Sequence, residues 1–324
     1  MVTTASDTRS EYSALTAGCG LLDVSERGKL ALTGGEAKAF LQGQVSNDVE
    51  ALEPGRGVYA AFLTNKGKML GDLRVLDAGA ELLIDCERSA LQELFNLLRR
   101  AKIGRDAELH KRTLERGLLS LIGPEARTVA GAAAAGLGER EHDHAPAAIG
   151  GAPVRLIATD AGGVDVLCEA ADTERVAAAL RAAGAAPVSE GAAEVVRVER
   201  GRPRVGFELD DTVIPQEAGL NERAVSFTKG CYVGQETVAR LHHRGKPNRH
   251  LRGLRLSAPA PSGAELRRGE KVVGRLASVA DSPAHGAIAL ALVRREAAPG
   301  DVLAVGEDGV TAEVVEPPFA AGRH

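Results

Sequence analysis

Among the four cysteines of this 324-residue chain, Cys19, Cys86, Cys168 and Cys231, the last stands where thiol chemistry is feasible. It lies in Ser226-Phe227-Thr228-Lys229-Gly230-Cys231-Tyr232-Val233-Gly234-Gln235-Glu236-Thr237-Val238-Ala239-Arg240, a run too polar and glycine-rich to alternate as a core strand. Gly230 and Gly234 let the backbone turn sharply or lie close to a ligand, so Cys231 is expected at a tight bend. Lys229 brings a positive charge that favours a thiolate, which is a nucleophile or a soft metal ligand. Cys86 and Cys168 fall at strand ends and read as small buried hydrophobes. No C-x-x-C pair and no dense framework is present, which fits a reducing, cytoplasmic setting.

The same region is basic. Between Asn221 and Arg255 stand Arg223, Lys229, Arg240, Arg244, Lys246, Arg249, Arg252 and Arg255 against Glu222 and Glu236, in a chain whose net charge is −4. Such a patch would attract an anionic ligand, a polyanionic tail or RNA; a solvated basic loop is the other reading. Past Tyr232 no aromatic residues interleave, so direct RNA binding is not expected. His142 and His144 lie two apart in the Ala/Gly-rich stretch Ala130–Gly151, which reads as a surface loop. With no third ligand nearby, no metal site is expected there.

The elements that must position these residues follow from periodicity. Lys29–Thr33 reads as a strand, Gly34-Gly35 as a turn, and Glu36–Gly43 as a helix with Phe40 and Leu41 inward. Strands follow at Val58–Leu63, Asp72–Leu76 and Glu81–Cys86. A helix comes next, with Ser89 and Gln92 placed for a capping box and Leu91, Leu94, Phe95 and Leu98 on one face. The order then recurs: strand Leu118–Ile122, a helix from Glu125, strands Pro153–Ala158 and Val164–Glu169, helix Thr173–Ala183 and a short strand near Pro187. Leu32-Thr33-Gly34-Gly35-Glu36-Ala37 is echoed by Leu121-Ile122-Gly123-Pro124-Glu125-Ala126, so duplication of a β-α-β-β-α-β (ferredoxin-like) unit is expected. From Leu251 the pattern changes to short strands, including Lys271–Val279, that imply a small antiparallel β-barrel or a sandwich. The fold class is thus α+β, with boundaries expected at 1–115, 116–247 and 248–324.

Lys229-Gly230-Cys231-Tyr232-x-Gly234-Gln235-Glu236, followed by Val238-Ala239-Arg240 and Arg244-Gly245, resembles the hallmark of the YgfZ-like folate-binding proteins, relatives of the glycine-cleavage T-protein (aminomethyltransferase). The resemblance extends to Gly20-Leu21-Leu22-Asp23, Gln44-Val45-Ser46-Asn47-Asp48-Val49, Tyr59-Ala60-Ala61-Phe62-Leu63, Gly67-Lys68-Met69-Leu70-Gly71-Asp72-Leu73 and Arg197-Val198-Glu199-Arg200-Gly201. It implies two related α+β units and a C-terminal barrel around a folate channel, with tetrahydrofolate or a one-carbon derivative as cofactor. It also implies that Glu199 hydrogen-bonds the pterin, that Tyr59 lines the channel and that Asp72 contacts folate. Asn221, Tyr232, Gln235, Glu236 and Arg240 are further binding candidates, and Cys231 with Lys229 and Asp72 forms the reactive set. Gly71 stands where the T-protein has its first acid and Lys68 where it has a second glycine, which argues against true aminomethyl transfer. Some relatives press a Trp against the pterin; here Tyr59, Tyr232 or Phe227 would take that place. The implied function is a tetrahydrofolate-binding accessory protein in iron–sulfur cluster assembly or maintenance, partnered with client or assembly proteins and affecting tRNA-modifying enzymes. A tetrahydrofolate-dependent one-carbon transferase is the alternative.

Composition bounds these readings. At 44% apolar the chain can bury sizeable cores, but aromatic residues make up only 3% and Trp is absent, so the cores must be aliphatic. The first 18 residues carry no apolar stretch and no run of 18 apolar residues occurs, so neither a signal peptide nor a membrane span is expected.

Overall fold

The computed structural model describes residues 5–319. Residues 1–4, part of the N-terminal run just considered, and 320–324 lie outside them. Contacts divide the chain into two compact units. The first runs to Leu63, resumes over Leu70–Ala192 and adds Arg223–Val233; the second takes Thr64–Met69, Ala193–Glu222 and the chain from Gly234 onward.

Two sheets build the first unit. After α1 (Ala5–Ala17) and β1 (Gly20–Asp23) come β2 (Gly28–Thr33), α2 (Ala37–Gln42), β3 (Gly57–Leu63), β4 (Met69–Asp77), β5 (Leu82–Cys86), α3 (Leu91–Ala101) and β6 (Glu108–Lys111). The strands line up as β3-β4-β5-β2-β6. Then β7 (Arg116–Ile122), α4 (Ala126–Ala130), β8 (His144–Ile149), β9 (Ala152–Ala158), β10 (Val164–Glu169), α5 (Thr173–Ala182) and β11 (Ala186–Pro187) form a second sheet, ordered β11-β1-β7-β10-β9-β8. Each repeat is therefore β-α-β-β-β-α-β, one strand longer than expected. In the second copy the added strand is β8, inside the stretch Ala130–Gly151 that reads from sequence as a loop. That stretch also holds a 3-10 turn at Gly131–Gly136. Ala and Pro give β8 little strand propensity; its register from His144 opposite Ile157 to Ile149 opposite Ala152 supplies the order instead. The two sheets share one strand order except that β1 slips between β7 and β11, which supports duplication better than the six-residue echo.

Alternation along the strands decides what each face carries. Ala60 and Phe62 of β3, Leu73 and Val75 of β4, and Leu82, Ile84 and Cys86 of β5 join one apolar core under α2 and α3, with Leu91, Leu94 and Leu98 of α3 buried in it. The opposite parity, Tyr59, Asp72, Arg74 and Asp85, shares the other face. In the second sheet Leu119, Leu121, Val164 and Val166 face a separate core with α5, leaving Ser120 and Asp165 on the opposite face. The α3 capping box does not form: the N-cap is Ala90, with no side-chain cap bond, and Gln92 Nε2 donates to Asn96 Oδ1 at 3.0 Å. The helix is held by its buried stripe instead.

Beyond the sheets lie α6 (Glu190–Glu199), α7 (Asn221–Ala224) and α8 (Gln235–Arg244), followed in the second unit by β12 (Arg249–Leu256), β13 (Glu265–Arg268), β14 (Lys271–Arg275), β15 (Ser278–Ser282), β16 (Gly286–Arg294), β17 (Val302–Val305) and β18 (Val310–Val315). These strands make one antiparallel sheet, β14-β13-β17-β18-β12-β16-β15, curled as a half-barrel. The expected strand Lys271–Val279 is two strands, broken at Leu276, whose side chain is buried and whose N–H bonds Ala264 O at 2.9 Å. Val195-Val196-Arg197-Val198 has a strand-like composition, yet α6 takes it because Ala192, Val195 and Val196 recur at helical spacing and are buried. No described helix is long and apolar enough to cross a membrane.

Candidate functional site

Two segments of the first unit lock together and fix the site. Lys229 is buried, and its ammonium donates to the carbonyls of Gln42 at 2.6 Å, Val45 at 2.7 Å and Asn47 at 2.8 Å. All three of its N–H donors are thereby engaged. Burial lowers its pKa to about 8. Ser46 Oγ donates to Ala224 O at 2.6 Å and receives the Ala61 N–H at 2.8 Å, while Asn47 Nδ2 donates to Tyr59 O and Arg223 O. The Lys229 and Gln44–Asp48 motifs are thus two halves of one joint. Lys229 serves as its staple, where the sequence suggested an activator for the neighbouring thiol.

At the end of this joint Cys231 is exposed, whereas Cys19, Cys86 and Cys168 are buried. Burial pushes the Cys86 thiol up to about 12 and the Cys19 thiol to about 11, which makes both inert. Gly234 has φ +85° and begins α8 from the left-handed region, so a side chain there would be strained. Gly230 has no such conformation, and a Cβ on it would meet nothing within 4 Å, so the need for glycine lies at Gly234 and not at Gly230.

Tyr59 and Asp72, which the alternation puts on one face, are hydrogen-bonded, the phenol donating to Asp72 Oδ2. Burial raises the Asp72 carboxyl above the ordinary range, with the Tyr59 hydrogen bond and the Arg27 charge working against that rise. Desolvation, with the adjacent Asp72 charge, also holds the Tyr59 phenol well above 10. A buried carboxyl that also takes a phenol hydrogen bond is placed to accept a hydrogen bond from a ligand nitrogen. Above the Tyr59 ring lies the Arg223 guanidinium, 5.0 Å from its centroid, with Nη2 donating to Glu141 Oε1 at 2.6 Å. Gly71 has the opposite parity to Asp72, and a Cβ there would come within 3.2 Å of Ala90 Cβ on the apolar side. An acid at position 71 would therefore turn away from Tyr59.

The remaining sequence candidates are placed as follows. Tyr232 is buried beneath Lys229, whose Nζ lies 5.1 Å from the ring centroid; burial raises its pKa to about 12. Phe62 is a core residue. Glu236 and Arg240 pair with each other on an exposed face of α8, and Gln235 is its first residue. In the second unit, Glu199 ends α6 and accepts a hydrogen bond from Ser282 Oγ. Asn221 opens α7, with Oδ1 buried and unbonded among the described residues. The basic stretch is largely neutralised: Arg223, Arg249 and Arg252 pair with Glu141, Glu217 and Glu316, as Arg240 does with Glu236, and Lys229 is buried.

Sequence reasoning missed the second-sheet contribution. The expected loop brings Glu141 to Arg223 and buries His142, Asp143 and His144. His144 Nδ1 accepts from Arg155 Nη1 at 2.8 Å, which leaves Nε2–H to donate to Arg56 O at 3.2 Å. Asp143 takes Arg56 Nη1 at 2.5 Å and the Arg140 N–H at 3.0 Å. The only available signal was charge density in Glu139-Arg140-Glu141-His142-Asp143-His144, and that did not distinguish a site from a solvated loop.

A mixed α+β region followed by an antiparallel half-barrel sheet matches the fold of the T-protein class. The GCVT N-terminal domain matches residues 3–229 and the glycine cleavage T-protein C-terminal barrel domain matches residues 249–320. The chain belongs to this glycine cleavage T-protein family. It is 31% identical over 319 residues to an aminomethyltransferase of Rubrobacter xylanophilus, covering 96% of this chain and 86% of that one. It is 28% identical over 313 residues to a chloroplastic protein of Arabidopsis thaliana whose name assigns it provisionally to the transferases, covering 94% and 72%. The crystal structure of glycine cleavage system aminomethyltransferase T from Bartonella henselae has the same fold, with TM-score 0.84 at 22% identity over 98% of this chain and 90% of that one.

Proposed function

We propose that the chain is a tetrahydrofolate-binding protein of the YgfZ-like branch of this family, acting in the assembly or maintenance of iron–sulfur enzymes. The observation that carries the folate part is the half-buried Asp72 carboxyl, bonded by Tyr59 and raised in pKa by burial. Such a group suits the nitrogen-rich edge of a reduced pterin, and Arg223, whose Nε is buried and unbonded among the described residues, adds a donor beside it. Folate, when bound, would supply the capacity to carry a one-carbon unit; the protein's part is to hold and orient it. Asp72→Asn and Glu199→Ala should each weaken tetrahydrofolate binding more than tenfold, or about 1.4 kcal/mol, in calorimetric titration. Unaltered affinity in either variant would exclude that residue from folate binding.

The accessory role is supported by Cys231, the exposed thiol on a loop fixed by Lys229. One cysteine cannot hold a cluster by itself, so its contact with a client would be transient or shared. In a deletion strain, Cys231→Ser should leave folate affinity intact and abolish support of iron–sulfur enzymes; full support would exclude the thiol from the mechanism.

One observation favours the transferase reading as a second possibility. The missing acid at position 71 would have faced the apolar core, so Gly71 leaves the Tyr59–Asp72 pair complete. Incubation with an aminomethylated carrier protein and tetrahydrofolate discriminates: methylene-tetrahydrofolate appears only if the chain is a transferase.

A further inference from the structure

We propose that His142 is a further ligand-binding residue of the Tyr59–Asp72 site, exchanging a hydrogen bond with the heterocyclic ring held there. This rests on the folate reading above and names one of its contacts. His142 is 9% exposed, and neither Nδ1 nor Nε2 has a hydrogen-bonding partner among the described residues. Its ring centroid lies 6.5 Å from that of Tyr59, tilted by 32°. Arg223, on the same tyrosine ring, has an unbonded buried Nε of its own. The Glu141 carboxylate is 3.7 Å from Nε2, beyond hydrogen-bond reach, and is already engaged by Arg223. A buried imidazole with neither nitrogen bonded among the described residues and a guanidinium with one buried, unbonded Nε therefore flank one aromatic ring.

The backbone shows that the ring is deliberately placed. His142 has φ +72°, an uncommon conformation for a side-chain-bearing residue. It is imposed from both sides: the His142 N–H bonds Ala158 O at 2.8 Å, and the Asp143 carbonyl accepts the Ala158 N–H at 2.8 Å. Arg56 and the Arg140 N–H fasten the Asp143 carboxylate. A strained residue held by a satisfied frame, with an unsatisfied ring, fits a contact completed by a ligand. Burial keeps the imidazole uncharged, with a pKa near 3, so it offers one donor and one acceptor. That pattern complements an amide-like heterocycle edge, which carries N–H and C=O groups together.

The test uses the full chain and tetrahydrofolate. Imidazole nitrogen resonances of the eight histidines are followed by NMR during titration, with His142→Asn identifying the His142 signals. Asn tolerates positive φ, so this variant keeps the loop while removing the ring. The expected result is a shift of one His142 nitrogen at saturation and at least tenfold weaker binding by His142→Asn. If wild-type chain binds, Asp72→Asn weakens it, and His142 neither shifts nor matters on substitution, then solvent alone serves the imidazole. The inference then falls while the folate reading stands. If wild-type chain shows no binding, both fall.

Discussion

Replacing Arg74 with Met should cost the chain about 3–5 kcal/mol, read as a lowered urea midpoint. Arg74 is buried and reaches from β4 to both sheets of the first unit, with Nε on Asp85 Oδ2 at 2.6 Å and Nη1 on Asp165 Oδ2 at 2.8 Å. Burial by itself would raise the Asp85 carboxyl, but Arg74 and Arg27 overcome it and hold the pKa at about 2. Arg27 also bridges Asp85 and Glu87, at 2.9 and 2.6 Å. Removing Arg74 takes away the cation paired with Asp165 and leaves it the Ser120 hydroxyl at 2.6 Å. An uncompensated buried carboxylate is far costlier than the intact pair is stabilising. Arg74→Met combined with Asp165→Leu should therefore recover part of the loss. A single variant within 1 kcal/mol of wild type would show that the sheets are held by apolar contact alone.

Acid should weaken the fold well above the usual carboxylate range, with a loss of about 4 kcal/mol between pH 7.5 and 5.0. Burial, reinforced by Arg74 and Arg223 and opposed by Asp85 and Asp160, lowers the His142 pKa to about 3. Burial and Arg155 lower His144 to about 4 against the hydrogen bond to Arg56 O and the charge of Asp77. In the unfolded chain both protonate near 6.5. Between that value and the folded one the unfolded state binds more protons, so stability rises with pH across the window and is complete above 6.5. Each histidine loses about 2 kcal/mol by pH 5, since one pKa unit is about 1.4 kcal/mol. Urea denaturation at the two pH values measures it. The double variant His142→Asn/His144→Gln should lose far less, and a flat wild-type profile would mean that the imidazoles are solvated.

Both predictions depend on residues whose partners are distant in sequence, and the same division separates what could be read early from what could not. Strand parity in Leu73-Arg74-Val75-Leu76-Asp77 already sorted Asp72 and Arg74 away from Leu73 and Val75, because side chains alternate whatever surrounds the strand. The α3 stripe was equally legible, since Leu91, Leu94 and Leu98 recur at helical spacing. A misreading arose where packing overrode propensity: β8 forms from Ala and Pro because β9 pairs with it.

Local sequence thus determined the repeat, the C-terminal short-strand pattern and the family motifs, all of which depend on short-range periodicity or contiguous residues. Only tertiary structure decided that Lys229 is a staple for three carbonyls more than 180 residues away in the chain. The same holds for Arg74 joining two sheets and for an apparent surface loop burying His142 beside Tyr59. Burial and hydrogen-bond partnership are properties of which segments meet, and no local pattern encodes the group on the other side.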